Sequence, residues 1–141
     1  MGKVSVKTEF AAPADQVWNL VKGFNDLPKW HPAFTNSELK GKGLGSTRTL
    51  TLPNGGKIVE RLDEFDDGKR RYSYSIEESP LPLASYRSTI EVKPSGKGCE
   101  LQWSSEYQTK DAPAMDMDKF LQDFYQAGFD NVKKILGLSS P

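Results

Sequence analysis

Polar and apolar residues alternate with two different periods along this chain. Val4, Val6, Thr8 and Phe10 alternate with Ser5, Lys7 and Glu9, the period of two expected of a half-buried strand. A helix follows, opened by Pro13, with Asp15 in its first turn, Val17, Trp18, Leu20 and Val21 on its apolar side and Gly23 at its end. A second, shorter helix is expected after it, capped by Asn25 or Asp26 and stopped by Pro32, with Trp30 and His31 at its very end. From Ala33 to Tyr107 the pattern is one of strands at 33–40, 45–52, 57–66, 70–77, 85–93 and 99–108. Short turns rich in glycine, proline, asparagine and aspartate separate them, so neighbours should pair antiparallel.

The chain then returns to a helical period. A long amphipathic helix is expected over 111–137, capped by Asp111 with Pro113 in its first turn. At about 100° per residue, Met117, Phe120, Leu121, Phe124, Gly128, Val132, Ile135 and Leu136 share one side, opposite Lys119, Gln122, Asp123, Gln126, Asp130 and Lys133. Gly128 near the centre of that stripe costs about 1 kcal/mol against alanine. Asn131 falls between the angular positions of Phe120 and Phe124, where its amide needs a ligand, a trapped water or a strand residue as partner. Strand, two helices, six strands and a long helix describe an α+β domain: a seven-stranded curved antiparallel sheet wrapped around the C-terminal helix. Residues 1–138 form it, and 139–141 form a tail.

A curved sheet gripping one helix leaves a space that is either packed with large side chains or holds a ligand. Several polar residues fall on the apolar side of their strands. Arg48 shares a face with Leu50 and Leu52, and Glu60 with Ile58 and Leu62; each needs a counter-charge, water or a ligand. Tyr72, Tyr74 and Ile76 share a face, as do Tyr86, Ser88, Ile90 and Val92, and Leu101, Trp103, Ser105 and Tyr107. These aromatic walls set with hydroxyls have the composition of a small-molecule site. The candidate ligand contacts are His31, Arg48, Glu60, Tyr74, Tyr86, Ser88, Trp103, Ser105, Phe124 and Asn131. Alternatives stay open: Arg48 and Glu60 as a pair closing one end of the barrel, His31 as a surface residue, the aromatics as core.

Composition narrows the field. Nineteen basic residues balance nineteen acidic ones in 141 residues, without a basic stripe for nucleic acid or a membrane surface. No apolar run approaches the roughly 20 residues of a membrane span. A single cysteine, Cys99, and a single histidine exclude an internal disulfide and a Cys/His zinc site, and no cofactor is called for. The glycines of Gly41–Gly45 lack the setting of a nucleotide loop and read as a turn. A cytoplasmic location is expected, and a homodimer or another protein partner is left open.

The frame VWNLVKGFNDLPKWHPAF, then GSTRTL, ERLDEFDD with SYSI, SYRSTIEV and FDNVKKIL, resembles the START-related, birch-pollen-allergen-like superfamily. Within it the chain is similar to bacterial polyketide cyclase/dehydrase-type proteins, with plant abscisic acid receptors as relatives. The resemblance implies a helix-grip fold binding or transporting a hydrophobic or amphipathic molecule of lipid, polyketide or aromatic type. It puts Leu52 and Pro53 at a gate loop and Pro80, Leu81, Pro82 and Leu83 at a latch loop. Two departures count against abscisic acid itself and a phosphatase partner: His31 stands where the receptors have a lysine, and the latch lacks their His-Arg pair. The alternative it implies is a cyclase, aromatase or dehydrase-like enzyme. Glu60 would then be the general base, His31 or a tyrosine the acid, and Arg48 the group that stabilises an enolate.

Overall fold

The computed structural model describes residues 2–110 and 116–138. Seven strands form one antiparallel sheet in the order β1-β7-β6-β5-β4-β3-β2. They are β1 (Gly2–Phe10), β2 (Asn36–Lys40), β3 (Thr47–Thr51), β4 (Lys57–Asp66), β5 (Arg71–Glu78), β6 (Leu83–Ser95) and β7 (Gly98–Thr109). Between β1 and β2 lie α1 (Ala14–Val21), a 3₁₀ turn at Phe24–Asp26 and the single α-turn α2 (Leu27–Trp30); α3 (Met117–Ile135) closes the chain. The α+β helix-grip architecture expected from the sequence is the one observed.

The strand edges shift modestly from the expected ones. Phe34 is buried but joins no strand, and β2 starts only at Asn36. Leu83, expected in the latch loop, is already the first residue of β6. Register shifts at Val59/Glu60 and Leu62/Glu64 break the β4–β5 ladder, bending the strand that carries Glu60, as bulges do.

The last helix differs more. It begins at Met117, where Asp116 caps it by accepting the Lys119 N–H; such a cap contributes about 1 kcal/mol. Asp111 and Pro113, expected to open it, lie outside the described residues, as does the tail at 139–141. It ends in a Schellman motif: Gly137 adopts φ +71°, its N–H donates to the Lys134 carbonyl, and the Leu138 N–H donates to that of Lys133. Its buried face is rotated by roughly 50° from the expected stripe. Tyr125 and Phe129 are fully buried, while Phe120 and Ile135 are 37% and 46% exposed. Lys133, expected on the wet side, is buried with its Nζ 5.5 Å from the centre of the Phe10 ring.

What lies against this rotated face is the end of α2. Trp30 and His31 are buried and wedge between α3 and the sheet. His31 Nε2 lies 2.8 Å from the Phe124 carbonyl, so Nε2 carries the proton and donates, while Nδ1 accepts the Ala33 N–H at 3.1 Å. Asn131 Nδ2 donates to the Trp30 carbonyl at 2.9 Å. Gly128 makes this approach possible: a Cβ there would stand 2.7 Å from His31 Cδ2 and 3.1 Å from Trp30 Cζ3. The two residues that looked out of place on the apolar stripe, Gly128 and Asn131, both serve this contact. Gly128→Ala should therefore destabilise the protein by about 1–3 kcal/mol in urea unfolding, despite its better helix propensity. A gain in stability would contradict the tight approach.

Candidate functional site

The space between sheet and helix is mostly filled. Trp103 stacks on Tyr125 at 4.3 Å between ring centres and meets Trp30 at 5.4 Å, Phe124 at 5.7 Å and His31 at 5.8 Å. What remains is a chamber of about 60 Å³ at the open end of the grip. Leu27, Phe34, Ile58, Tyr74, Ile76 and Tyr86 form much of its wall, with Leu121, Phe124 and Phe120 from α3. Leu52 and Leu81 come from the two expected loops, Leu83 from the start of β6, and among the described residues Glu60 supplies the single carboxylate. Phe120 is half-exposed because it stands at this mouth.

The loops themselves are short and mutually close. In the turn after β3, the Leu52 N–H donates to the Gly56 carbonyl at 2.8 Å and Gly55 takes φ +89°. A Cβ on Gly56 would lie 3.5 Å from Leu52 and 3.8 Å from Pro80, so this turn touches the loop before β6. Of the six expected gate and latch residues, Leu52, Leu81 and Leu83 line the chamber; Pro53, Pro80 and Pro82 do not.

Beneath the chamber lies a buried ion pair. Arg48 and Glu60 face each other across β3 and β4. Arg48 Nε donates to Glu60 Oε1 at 2.8 Å, Nη2 lies 2.7 Å from the same oxygen, and Nη1 donates to the Phe24 carbonyl. The guanidinium is held between the rings of Phe24 at 4.2 Å and Tyr74 at 4.8 Å. Arg48 thus ties the 3₁₀ turn to the sheet and has no access to the chamber. Burial pushes the Glu60 carboxyl up from its ordinary value against the opposing pull of Arg48. Burial by itself would lower the guanidinium, but Glu60, Tyr72 and Tyr74 outweigh it and hold Arg48 above its usual range.

The remaining expected site residues are engaged with one another. Trp103 Nε1 donates to Ser88 Oγ at 2.8 Å and to Tyr74 Oη at 3.1 Å, and Ser88 Oγ donates to the Ser104 carbonyl. The Tyr86 and Tyr125 hydroxyls bond to each other. Ser105 Oγ is buried without a hydrogen bond among the described residues. Of the ten expected ligand contacts, Glu60, Tyr74, Tyr86 and Phe124 line the chamber; His31, Arg48, Ser88, Trp103, Ser105 and Asn131 do not. His31 and Asn131 bind backbone groups, and His31 is not on the surface. Burial raises the Tyr74 and Tyr86 phenols well above their ordinary value. Among the described residues no cluster of His, Cys, Asp and Glu could hold a metal ion.

A family model described as polyketide cyclase/dehydrase and lipid transport matches residues 1–137. The chain belongs to this family. Through it the protein is a member of the START-related, birch-pollen-allergen-like superfamily, whose members bind hydrophobic ligands. It is 31% identical to MLP-like protein 423 of Arabidopsis thaliana over 96% of this chain and 94% of that one. It is also 31% identical to the abscisic acid receptor PYL10 of Arabidopsis thaliana, over 57% of this chain and 47% of the receptor. The structure of XoxI from Bacillus cereus superposes with a TM-score of 0.88 at 31% identity, covering 96% of this chain and 95% of that one. No helix among the described residues of this polyketide cyclase/dehydrase-family chain is long and apolar enough to cross a membrane.

Sequence reasoning placed Ile76 and Leu121 on apolar faces without assigning them to the site, and missed Leu27, Phe34 and the partners Phe24 and Tyr125. The placement of these last four depends on how the helical layer docks, which strand periodicity does not encode. His31 carries a consequence for stability. Burial lowers its pKa from 6.5 to about 4, with the Phe124 hydrogen bond opposing. The fold thus favours the neutral ring, and this contribution is complete above pH 6.5 and lost as pH falls toward 4, up to about 3 kcal/mol. Urea titrations should show stability declining through that window, with a shallower decline in His31→Gln. Equal slopes in the two proteins would contradict the assignment.

Proposed function

We propose that this protein binds a small hydrophobic molecule, of lipid, polyketide or aromatic type, at the mouth of the grip, as a binding or transport protein. The observation that supports this most is the chamber itself: a wall that is apolar but for one carboxylate and two phenols, roofed by two short loops. Such a wall, with few polar groups to fix orientation, is the usual make-up of a ligand site. Its 60 Å³ is far below the roughly 300–1,000 Å³ of sites enclosing a drug-sized ligand. Binding therefore requires the roof to lift, with Leu52 and Leu81 moving outward. The relative named for abscisic acid is in keeping with a receptor-like use of the site. Abscisic acid itself is not proposed, because no cation lines this chamber.

A catalytic reading has one observation in its favour: burial raises the Glu60 carboxyl, the direction a general base at neutral pH needs. The matching acid is lacking. Both nitrogens of His31 are bound to backbone, Arg48 is turned away, and the phenols are raised beyond easy proton transfer. Binding is the better-supported reading.

Methyl NMR with 1-octanol as probe tests it. The methyl signals of Leu52, Ile58, Ile76, Leu81 and Leu83 should shift together on titration. Ile76→Phe, which adds volume to the wall, should weaken the response about tenfold. Shifts confined to the outer face of the sheet, or an unchanged affinity in the variant, would contradict a site at the mouth.

A further inference from the structure

Among the described residues one charged group lines the chamber. It is Glu60, 5% exposed. Its Oε1 is taken by Arg48, while Oε2 makes no hydrogen bond among the described residues. Arg48 is fully buried, contributes nothing to the wall, and is screened by the ring of Tyr74 and by Glu60 itself. Both phenols of the lining already take part in hydrogen bonds: Tyr74 Oη accepts from Trp103 Nε1 and keeps its own proton, and the Tyr86 and Tyr125 hydroxyls share one bond. The pair is neutral as a unit and turns a strong acceptor toward the chamber.

We propose that this chamber selects uncharged ligands ending in a hydroxyl, an alcohol or a phenol, that donates to Glu60 Oε2, and that it rejects carboxylates. The proposal rests on the binding reading above and names the class of molecule the site takes. A carboxylate would set a second negative charge against Glu60 in a largely apolar space, with Arg48 on the far side of that glutamate. An ammonium would leave a net positive charge in the same apolar space. An ether of equal length would fill the volume but face Oε2 acceptor to acceptor and gain no bond from Glu60. Only a neutral donor completes Glu60 without unbalancing the pair. A hydrogen bond to an ionised group is the strong kind, and its usual free energy corresponds to about a ten- to hundredfold difference in Kd.

The experiment is calorimetric titration at neutral pH with four matched chains: 1-octanol, 1-methoxyheptane, octanoate and octylammonium. The chamber methyl signals report where each one binds. The expected result is that 1-octanol binds at least about tenfold more tightly than the ether, and that both ions bind more weakly still. Octanoate matching or exceeding 1-octanol, or the ether equalling it, overturns the proposal while leaving the binding reading intact. If none of the four moves the chamber signals, the binding reading falls and this proposal falls with it. In Glu60→Gln the amide oxygen can stay on Arg48 while the NH₂ group faces the chamber, turning an acceptor into a donor. The preference for 1-octanol over the ether should then shrink or reverse; an unchanged ratio overturns the role given to Glu60. The wild-type series decides the proposal even where the variant does not fold.

Discussion

A buried histidine at the end of a one-turn helix sets the architecture of this protein. His31 is placed where water cannot serve its ring nitrogens, so both must be satisfied by protein. The Ala33 N–H takes one, and the Phe124 carbonyl in the middle of α3 takes the other. A helix carbonyl can accept a second donor only where a ring can reach it, and the missing side chain at Gly128 opens that path. Asn131 then fixes the Trp30 carbonyl to the same helix. With α2 held there, Trp30, His31, Phe34 and Phe124 close around Trp103. The deep part of the sheet's concavity becomes core.

The sheet side has its own fixed point. Arg48 spans from Glu60 to the Phe24 carbonyl, and so joins β3, β4 and the 3₁₀ turn through one guanidinium. Removing either charged partner from such a pair leaves an uncompensated buried charge and typically costs 3–5 kcal/mol. The two fixed points divide the labour. The α2–α3 contact decides how much of the concavity is filled, and the ion pair decides which polar atom the remainder presents.

Much of this was readable in the sequence, and the limits have physical causes. Strand periodicity and turn chemistry located all seven strands, because each side of a strand reports its own burial locally. The same alternation picked out Arg48 and Glu60 as buried charges. It offers their pairing as one alternative without deciding it, since pairing depends on a cross-strand register. On α3, Phe120 and Ile135 pulled the expected stripe away from Tyr125 and Phe129, because the apolar residues at the chamber mouth and near the helix end were counted as core. Gly128 and Asn131 were correctly seen as anomalies, but an anomaly in one element does not name its partner in another. That partner, the Trp30–His31 corner, lies about a hundred residues away in sequence. Of the six residues that the resemblance puts at a gate and a latch, the three leucines line the chamber and the three prolines do not.

The α2–α3 contact fills the deep concavity and leaves one small apolar space above Glu60. A crystal equilibrated with xenon under pressure tests it most directly, because xenon enters dry apolar cavities. The expected result is a single internal site bordered by Ile58, Leu83, Leu121 and Phe124. Xenon lodged between Trp103 and His31, or no internal site at all, would contradict it.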